Sequence, residues 1–89
     1  MSTINLQEGI WIDVRTLEEF AAGTLQGSIH IPYEELPARI GEVTTDKDAY
    51  LRLYCRSGRR SGVAADALTQ MGFTHVVNEG GYEDLLSKL

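Results

Sequence analysis

The feature that most constrains this chain is the stretch Tyr54-Cys55-Arg56-Ser57-Gly58-Arg59-Arg60-Ser61. Residues 50–54 before it alternate apolar side chains, as a strand does, and residues 62–71 after it carry a helix-like pattern. A thiol therefore sits where a strand ends and a helix begins, inside a short loop rich in arginine and glycine. In an open α/β sheet, ligands bind at such strand ends.

The rest of the chain is consistent with that frame. Residues 10–14, Ile-Trp-Ile-Asp-Val, form the short β-branched run expected of a buried parallel strand. Thr16 followed by Glu19 is a capping-box pattern that opens a short helix over 17–22, stopped by Gly23. Arg15 lies before the cap, so an Arg15–Glu19 helical pair does not follow from their spacing. Gly27 marks a turn, and residues 28–32 are extended because Pro32 biases Ile31 away from helix. A helix after Tyr33 starts near Glu35 or Leu36, with Pro37 in its first turn.

Residues 42–48 form a polar loop. Leu51 and Leu53 share one face of the strand before Cys55, and Arg52 must either snorkel to water or lie near a sheet edge. In the following helix Val63, Ala64, Ala67, Leu68 and Met71 form one apolar stripe, ended by Gly72. Residues 73–77 are a further β-like run, 78–81 a turn, and 82–89 a last short helix. Alternating strand and helix patterns predict an α/β fold with a central, mostly parallel sheet flanked by helices.

One domain over residues 1–89 is expected, with 1–9 a short extended or flexible N-terminus. The net charge of −5 argues against nucleic acid as a partner. Against that acidic background, residues 52–60 hold half of the eight basic residues, which is either a solvated turn or an anion site. No apolar run is long enough to span a membrane and no signal peptide is evident, so the literal reading is cytoplasmic. A signal removed beforehand would make it periplasmic.

The single cysteine has no partner for an internal disulfide, so it is either a buried small hydrophobe or a reactive thiol. Its surroundings favour the second. A thiolate is stabilised by cations, by a helix N-terminus and by backbone N–H donors, and the loop offers all three. Successive N–H groups of residues 56–61 can curl around the sulfur as an anion nest, with Gly58 supplying a positive φ. Arg56, Arg59 and Arg60 can grip an oxyanion with forked donors. Nucleophile plus anion cradle suggests covalent catalysis on a small anion, with the thiol pKa lowered from about 8.5 to roughly 7 or below. His30 and His75 lie in apolar β-like runs and read as structural. Two histidines and one cysteine do not make a metal site.

The chain resembles the rhodanese family of sulfurtransferases, in particular the single-domain thiosulfate sulfurtransferases of the phage shock protein E type. The resemblance spans residues 11–82. Asp13-Val14-Arg15, Glu19-Phe20, Gly23, Gly27 and Ile31-Pro32 follow the family's first signature. Residues 55–60 match the loop pattern C-x-x-G-x-R, and Met71-Gly72-Phe73 with Gly80-Gly81-Tyr82 match later landmarks. Thr24 and Ser28 depart from the histidine and alanine often found there.

The resemblance implies a two-step transfer. Cys55 takes the outer sulfur of thiosulfate as a persulfide and passes it to cyanide or a cellular thiol, with a thioredoxin-like protein a candidate acceptor. It implies no cofactor beyond that transient persulfide and no metal. The expected site is Cys55 as nucleophile with Arg56, Ser57, Gly58, Arg59, Arg60 and Ser61 as the substrate-binding loop. Arg60 is the side chain for substrate contact, Arg56 and Arg59 steer anions or recognise acceptors, and Asp13 and Arg15 brace the loop's scaffold. The competing enzymatic reading is a cysteine-dependent phosphatase or arsenate reductase. Those enzymes use C-x5-R, whereas the sixth position after Cys55 is Ser61 and the arginine comes one residue early. A non-catalytic persulfide carrier or binding module is the third reading.

Overall fold

A computed structural model describes residues 8–89, so most of the expected N-terminal extension lies outside the described residues. Strand β1 (Ile10–Asp13) leads into helix α1 (Leu17–Ala22) and strand β2 (Ile29–His30). Helix α2 (Leu36–Arg39) continues into a 3-10 turn (Ile40–Glu42). Strand β3 (Leu51–Cys55), helix α3 (Arg59–Gln70), strand β4 (Val76–Gly81) and helix α4 (Tyr82–Ser87) complete the chain. The four strands form one sheet in the order β2-β1-β3-β4, with every pairing parallel.

Local chemistry accounts for most of these boundaries. The Thr16 side chain accepts from Glu19 N–H at 3.2 Å, and the Glu19 carboxylate accepts from Thr16 N–H at 3.0 Å, closing the capping box. Such a cap contributes about 1 kcal/mol to a helix too short to stand alone. Glu35 holds the N-cap position of α2 without a side-chain capping bond, and Pro37 lies early in the helix where its missing N–H costs nothing. Gly72, at φ 100°, lets the chain turn back after α3, so that Phe73 N–H donates to the Leu68 carbonyl.

The alternation of each strand divides the interior in two. Ile12, Leu51, Leu53 and Cys55 join Leu36, Ile40, Ala64, Ala65, Leu68 and Phe73 in the larger cluster under α2 and α3. Trp11 and Tyr54 point to the opposite face and meet Leu25 and Leu85. The face α3 buries is rotated from the expected stripe. Ser61, Ala64, Ala65 and Leu68 are buried, Ala67 is only partly so, and Val63 and Met71 are exposed. The helix begins at Arg59, earlier than its apolar pattern, and the buried hydroxyl of Ser61 sets the inward face.

Two further expectations are corrected. Residues 78–81 are not a turn: β4 runs through them to Gly81, and pairing with β3 supplies the hydrogen bonds a turn would otherwise make. The Asn-Glu-Gly-Gly composition is absorbed by an irregularity opposite Leu53/Tyr54, with Gly80 at φ 97°. Arg52 neither snorkels to water nor sits at an edge. It lies in an interior strand at 7% exposure. Its guanidinium lies 4.1 Å from the Trp11 ring centroid and 4.9 Å from that of Tyr50. Its Nε donates to Glu79 on β4 at 2.7 Å, and Nη1 donates to the Glu8 carbonyl at 3.1 Å. The ion pair and the ring faces compensate the charge that water would otherwise solvate. Among the described residues no helix is long and apolar enough to cross a membrane.

Candidate active site

Strand order places the site. The chain steps from β1 to β2 on one side and returns to β3 on the other, so the crevice beyond the carboxyl ends of β1 and β3 is the switch point of the sheet. Cys55 ends β3 there, and the loop after it turns at once into α3. Gly58 caps that helix in the left-handed region, φ 92°, as its position in the loop requires. With this turn the Gly58 N–H points back and donates to Cys55 Sγ at 3.0 Å. The Ser61 hydroxyl lies 3.5 Å from the same sulfur.

Cys55 itself has no exposed surface. Burial alone would push its thiol up. Hydrogen bonds from the Ser61 hydroxyl and from the N–H groups of Ser61, Ser57 and Gly58 outweigh that and lower the pKa from 9.0 to about 7. The N–H of Ser61 lies in the first turn of α3, where backbone donors lack intrahelical partners. The nest read from the sequence is thus formed chiefly by Ser57, Gly58 and Ser61.

The arginines divide into two kinds. Arg56 and Arg59 are exposed, as is Ser57. Arg60 is partly buried and turns toward α1, where it donates to Glu19 Oε1 at 2.9 Å and Oε2 at 3.2 Å. That pairing raises the Arg60 pKa, and the negative charge of Cys55 adds to it. The Arg60 hydrogen bond, against the cost of burial and with help from Thr16, holds the Glu19 carboxyl down at about 2. One carboxylate therefore caps α1 and fixes the loop arginine, joining the segments after β1 and β3 across the crevice. The capping pattern exposed only the first of these roles, because Arg60 is 41 residues away from Glu19.

Asp13 and Arg15 stand apart from the sulfur. Arg15 Nε donates to Asp13 Oδ1 at 2.9 Å, and Nη2 donates to Oδ2 at 2.7 Å. Thr24 donates to Asp13, Arg15 donates to the Gly23 carbonyl, and the Tyr82 ring lies 4.2 Å from the Arg15 guanidinium. This buried pair ties the C-terminal end of α1 to α4, and none of these partners belongs to the loop. His30 stacks on Phe20 with centroids 4.7 Å apart, and His75 stacks on Tyr50 at 4.1 Å. His75 precedes β4 and is exposed, outside the strand expected to contain it.

Two residues of β4 complete the site, and the turn-like composition concealed both. Asn78 reaches the loop, with Nδ2 donating to the Gly58 carbonyl at 2.8 Å and Oδ1 accepting from the Ser61 hydroxyl at 2.6 Å. Gly81 pairs in register with Cys55, and a Cβ there would lie 2.5 Å from the Arg56 carbonyl oxygen. The loop packs on the backbone of β4 only because that position has no side chain.

The fold and the loop define a class: parallel α/β proteins that present an acidified thiol in a ring of backbone donors at a strand-to-helix junction. Comparison with known proteins narrows it. The rhodanese-like domain profile matches residues 2–88, and the chain belongs to that family. It is 44% identical over 75 residues to thiosulfate sulfurtransferase PspE of Escherichia coli, covering 84% of this chain and 72% of that protein. It is 32% identical to the human thiosulfate:glutathione sulfurtransferase, covering 85% of this chain and 77% of that one. A solved E. coli rhodanese with anions superposes with a TM-score of 0.81 at 44% identity, covering 84% and 88% of the two chains. The first three curated relatives are longer, the chain spanning 72%, 56% and 68% of their lengths.

Proposed function

We propose that this chain is a thiosulfate sulfurtransferase that works through a persulfide on Cys55. The observation that carries the reading is the ring of donors on the sulfur itself, with Gly58 N–H at 3.0 Å and the thiol lowered to about 7. A large fraction of the cysteine is then thiolate at neutral pH. The thiolate attacks the outer sulfur of thiosulfate. A new S–S bond forms on Cys55, the S–S bond of the donor breaks, and sulfite leaves with the bonding pair. A nucleophilic acceptor, cyanide or a thiol, then attacks the outer sulfur and the Cys55 thiolate departs. The names of the E. coli and human relatives support thiosulfate as donor and a thiol as acceptor.

In this reading the Arg60 side chain meets the sulfonate end of the donor, presented by its fork to Glu19. Arg56, Ser57, Gly58, Arg59 and Ser61 supply the remaining loop contacts, and no cofactor beyond the persulfide is required. Exposed Arg56 and Arg59 raise the local concentration of anions near an otherwise acidic protein. The buried thiol means that the loop must part for the donor to enter.

The test pairs thiocyanate formation from thiosulfate and cyanide with release of phosphate from an aryl phosphate. The expected result is thiocyanate formation that Cys55→Ser abolishes, with no phosphate release. Phosphate release without sulfur transfer would assign the loop to the phosphatase class instead.

A further inference from the structure

Behind the sulfur one proton is claimed by two acceptors. Ser61 Oγ lies 2.6 Å from Asn78 Oδ1 and 3.5 Å from Cys55 Sγ. A serine hydroxyl carries a single proton, so it serves the carboxamide or the sulfur, but not both. Two backbone groups settle which way the Asn78 amide faces. Gly80 N–H donates to Oδ1 at 3.0 Å, and Nδ2 donates to the Gly58 carbonyl at 2.8 Å. Oδ1 is therefore an acceptor, and the short contact with Ser61 is a hydroxyl donating to it.

We propose that Asn78 is a positioning residue that competes with Cys55 for the Ser61 hydroxyl proton. In the neutral thiol state, S–H donates to Ser61 Oγ and the Ser61 hydroxyl donates to Asn78. When Cys55 ionises, its proton passes to solvent water, the hydroxyl rotates to the sulfur, and Asn78 Oδ1 keeps only the Gly80 N–H. Asn78 thus holds the thiolate in check. Once Cys55 carries a second sulfur, the charge moves outward and the hydroxyl returns to Asn78. That last step rests on the sulfur-transfer reading; the competition for the proton does not.

The ionisable groups around the end of β3 are otherwise accounted for. Arg60 of α3 is paired with Glu19 of α1 and also faces the Cys55 sulfur, and Asp13 of β1 is paired with Arg15. The Tyr54 hydroxyl is bonded to Thr24 and Ser28, and Tyr82 of α4 packs under Arg15. Arg56 and Arg59 of the loop are exposed, and Glu79 of β4 pairs with Arg52. None of these side chains is among the hydrogen-bond partners of Asn78, which are Ser61, Gly58 and Gly80.

The test is the pH dependence of iodoacetamide alkylation in the parent, Ser61→Ala, Asn78→Ala and the double variant. Ser61→Ala should raise the midpoint by about one to two pH units, the worth of one hydrogen bond to a charged group. Asn78→Ala should lower it by about half a unit, the worth of one neutral hydrogen bond. In the Ser61→Ala background, Asn78→Ala should do nothing. A merely structural brace behaves differently, because freeing the Gly58 carbonyl loosens the nest and raises the midpoint whether or not Ser61 is present. A rise, no change, or the same shift in both backgrounds overturns the proposal. If Asn78→Ala does not fold, Asn78→Leu keeps the volume without polar atoms and makes the same comparison. Alkylation needs no sulfur donor, so a failure of sulfur transfer would count against the proposed function and leave this result standing.

Discussion

Gly81→Ala is the substitution whose effect can be worked most directly from the geometry. The added Cβ would stand 2.5 Å from the Arg56 carbonyl oxygen, 3.3 Å from its carbon and 3.5 Å from Ser57 Cα. Carbon–oxygen contacts settle at about 3.3 Å or more, so that carbonyl must retreat by roughly 0.8 Å. It belongs to the same rigid peptide unit as the Ser57 N–H, one of the donors holding the sulfur. The unit cannot move without carrying that donor off the sulfur.

Overpacking of this size costs about 1–3 kcal/mol of stability. A misplacement approaching 1 Å at a reacting centre costs up to about 100-fold in rate. The expected result is a folded protein with a lowered urea midpoint and an alkylation midpoint raised above 7. Its kcat/KM for thiosulfate should fall by about 10- to 100-fold. The assays are urea unfolding, iodoacetamide alkylation against pH, and thiocyanate formation. A folded Gly81→Ala variant with the parent's alkylation midpoint and turnover would refute the claim that the bare backbone of β4 positions the loop.

The lowered thiol pKa also predicts a pH-dependent stability. Well below pH 7 the cysteine is protonated in both states and contributes nothing. Between pH 7 and 9 the folded state gives up its proton before the unfolded chain does, so stability rises, by about 3 kcal/mol once complete. Urea unfolding at pH 6.5 and 9.0 should show this gain in the parent and not in Cys55→Ala; equal gains in both would remove it. Glu19 should give the acid counterpart, a contribution present above its ordinary range and lost as pH falls toward about 2, which Glu19→Gln should abolish in an acid titration of unfolding. Arg60→Ala should lower kcat/KM for thiosulfate more than Arg56→Ala does, while Arg56→Ala should chiefly flatten the salt dependence, because exposed charges act through screened steering. Equal losses with equal salt slopes would erase the distinction between the paired and the exposed arginine.

The parts of this site that were legible in the sequence are those built from neighbours in the chain. The nest around Cys55 follows from a glycine three residues on and a helix start beside it, and the capping box from Thr16 and Glu19. The second role of Glu19 was not legible, because its partner Arg60 is brought up only when β1 and β3 pair. Asn78 and Gly81 were obscured for a different reason. Asn-Glu-Gly-Gly has the local preferences of a turn, and the edge of the sheet overrode them by pairing those residues with β3. Arg52 shows the same limit. Its place in an interior strand depends on Trp11, Tyr50 and Glu79, which no periodicity links to it. The stripe on α3 had the right period and the wrong phase, since a buried serine, invisible to an apolar pattern, lies on its inward face.

The central claim is that sulfur passes through Cys55, and intact-protein mass spectrometry tests it most directly. Incubation with thiosulfate alone should add one sulfur, about 32 Da, to the chain as a reversible oxidised thiol state. Subsequent cyanide should remove it and leave thiocyanate in solution. Cys55→Ser should show neither step. A parent protein that turns over thiosulfate and cyanide without ever acquiring the added mass, or a Cys55→Ser variant that acquires it, would contradict the account.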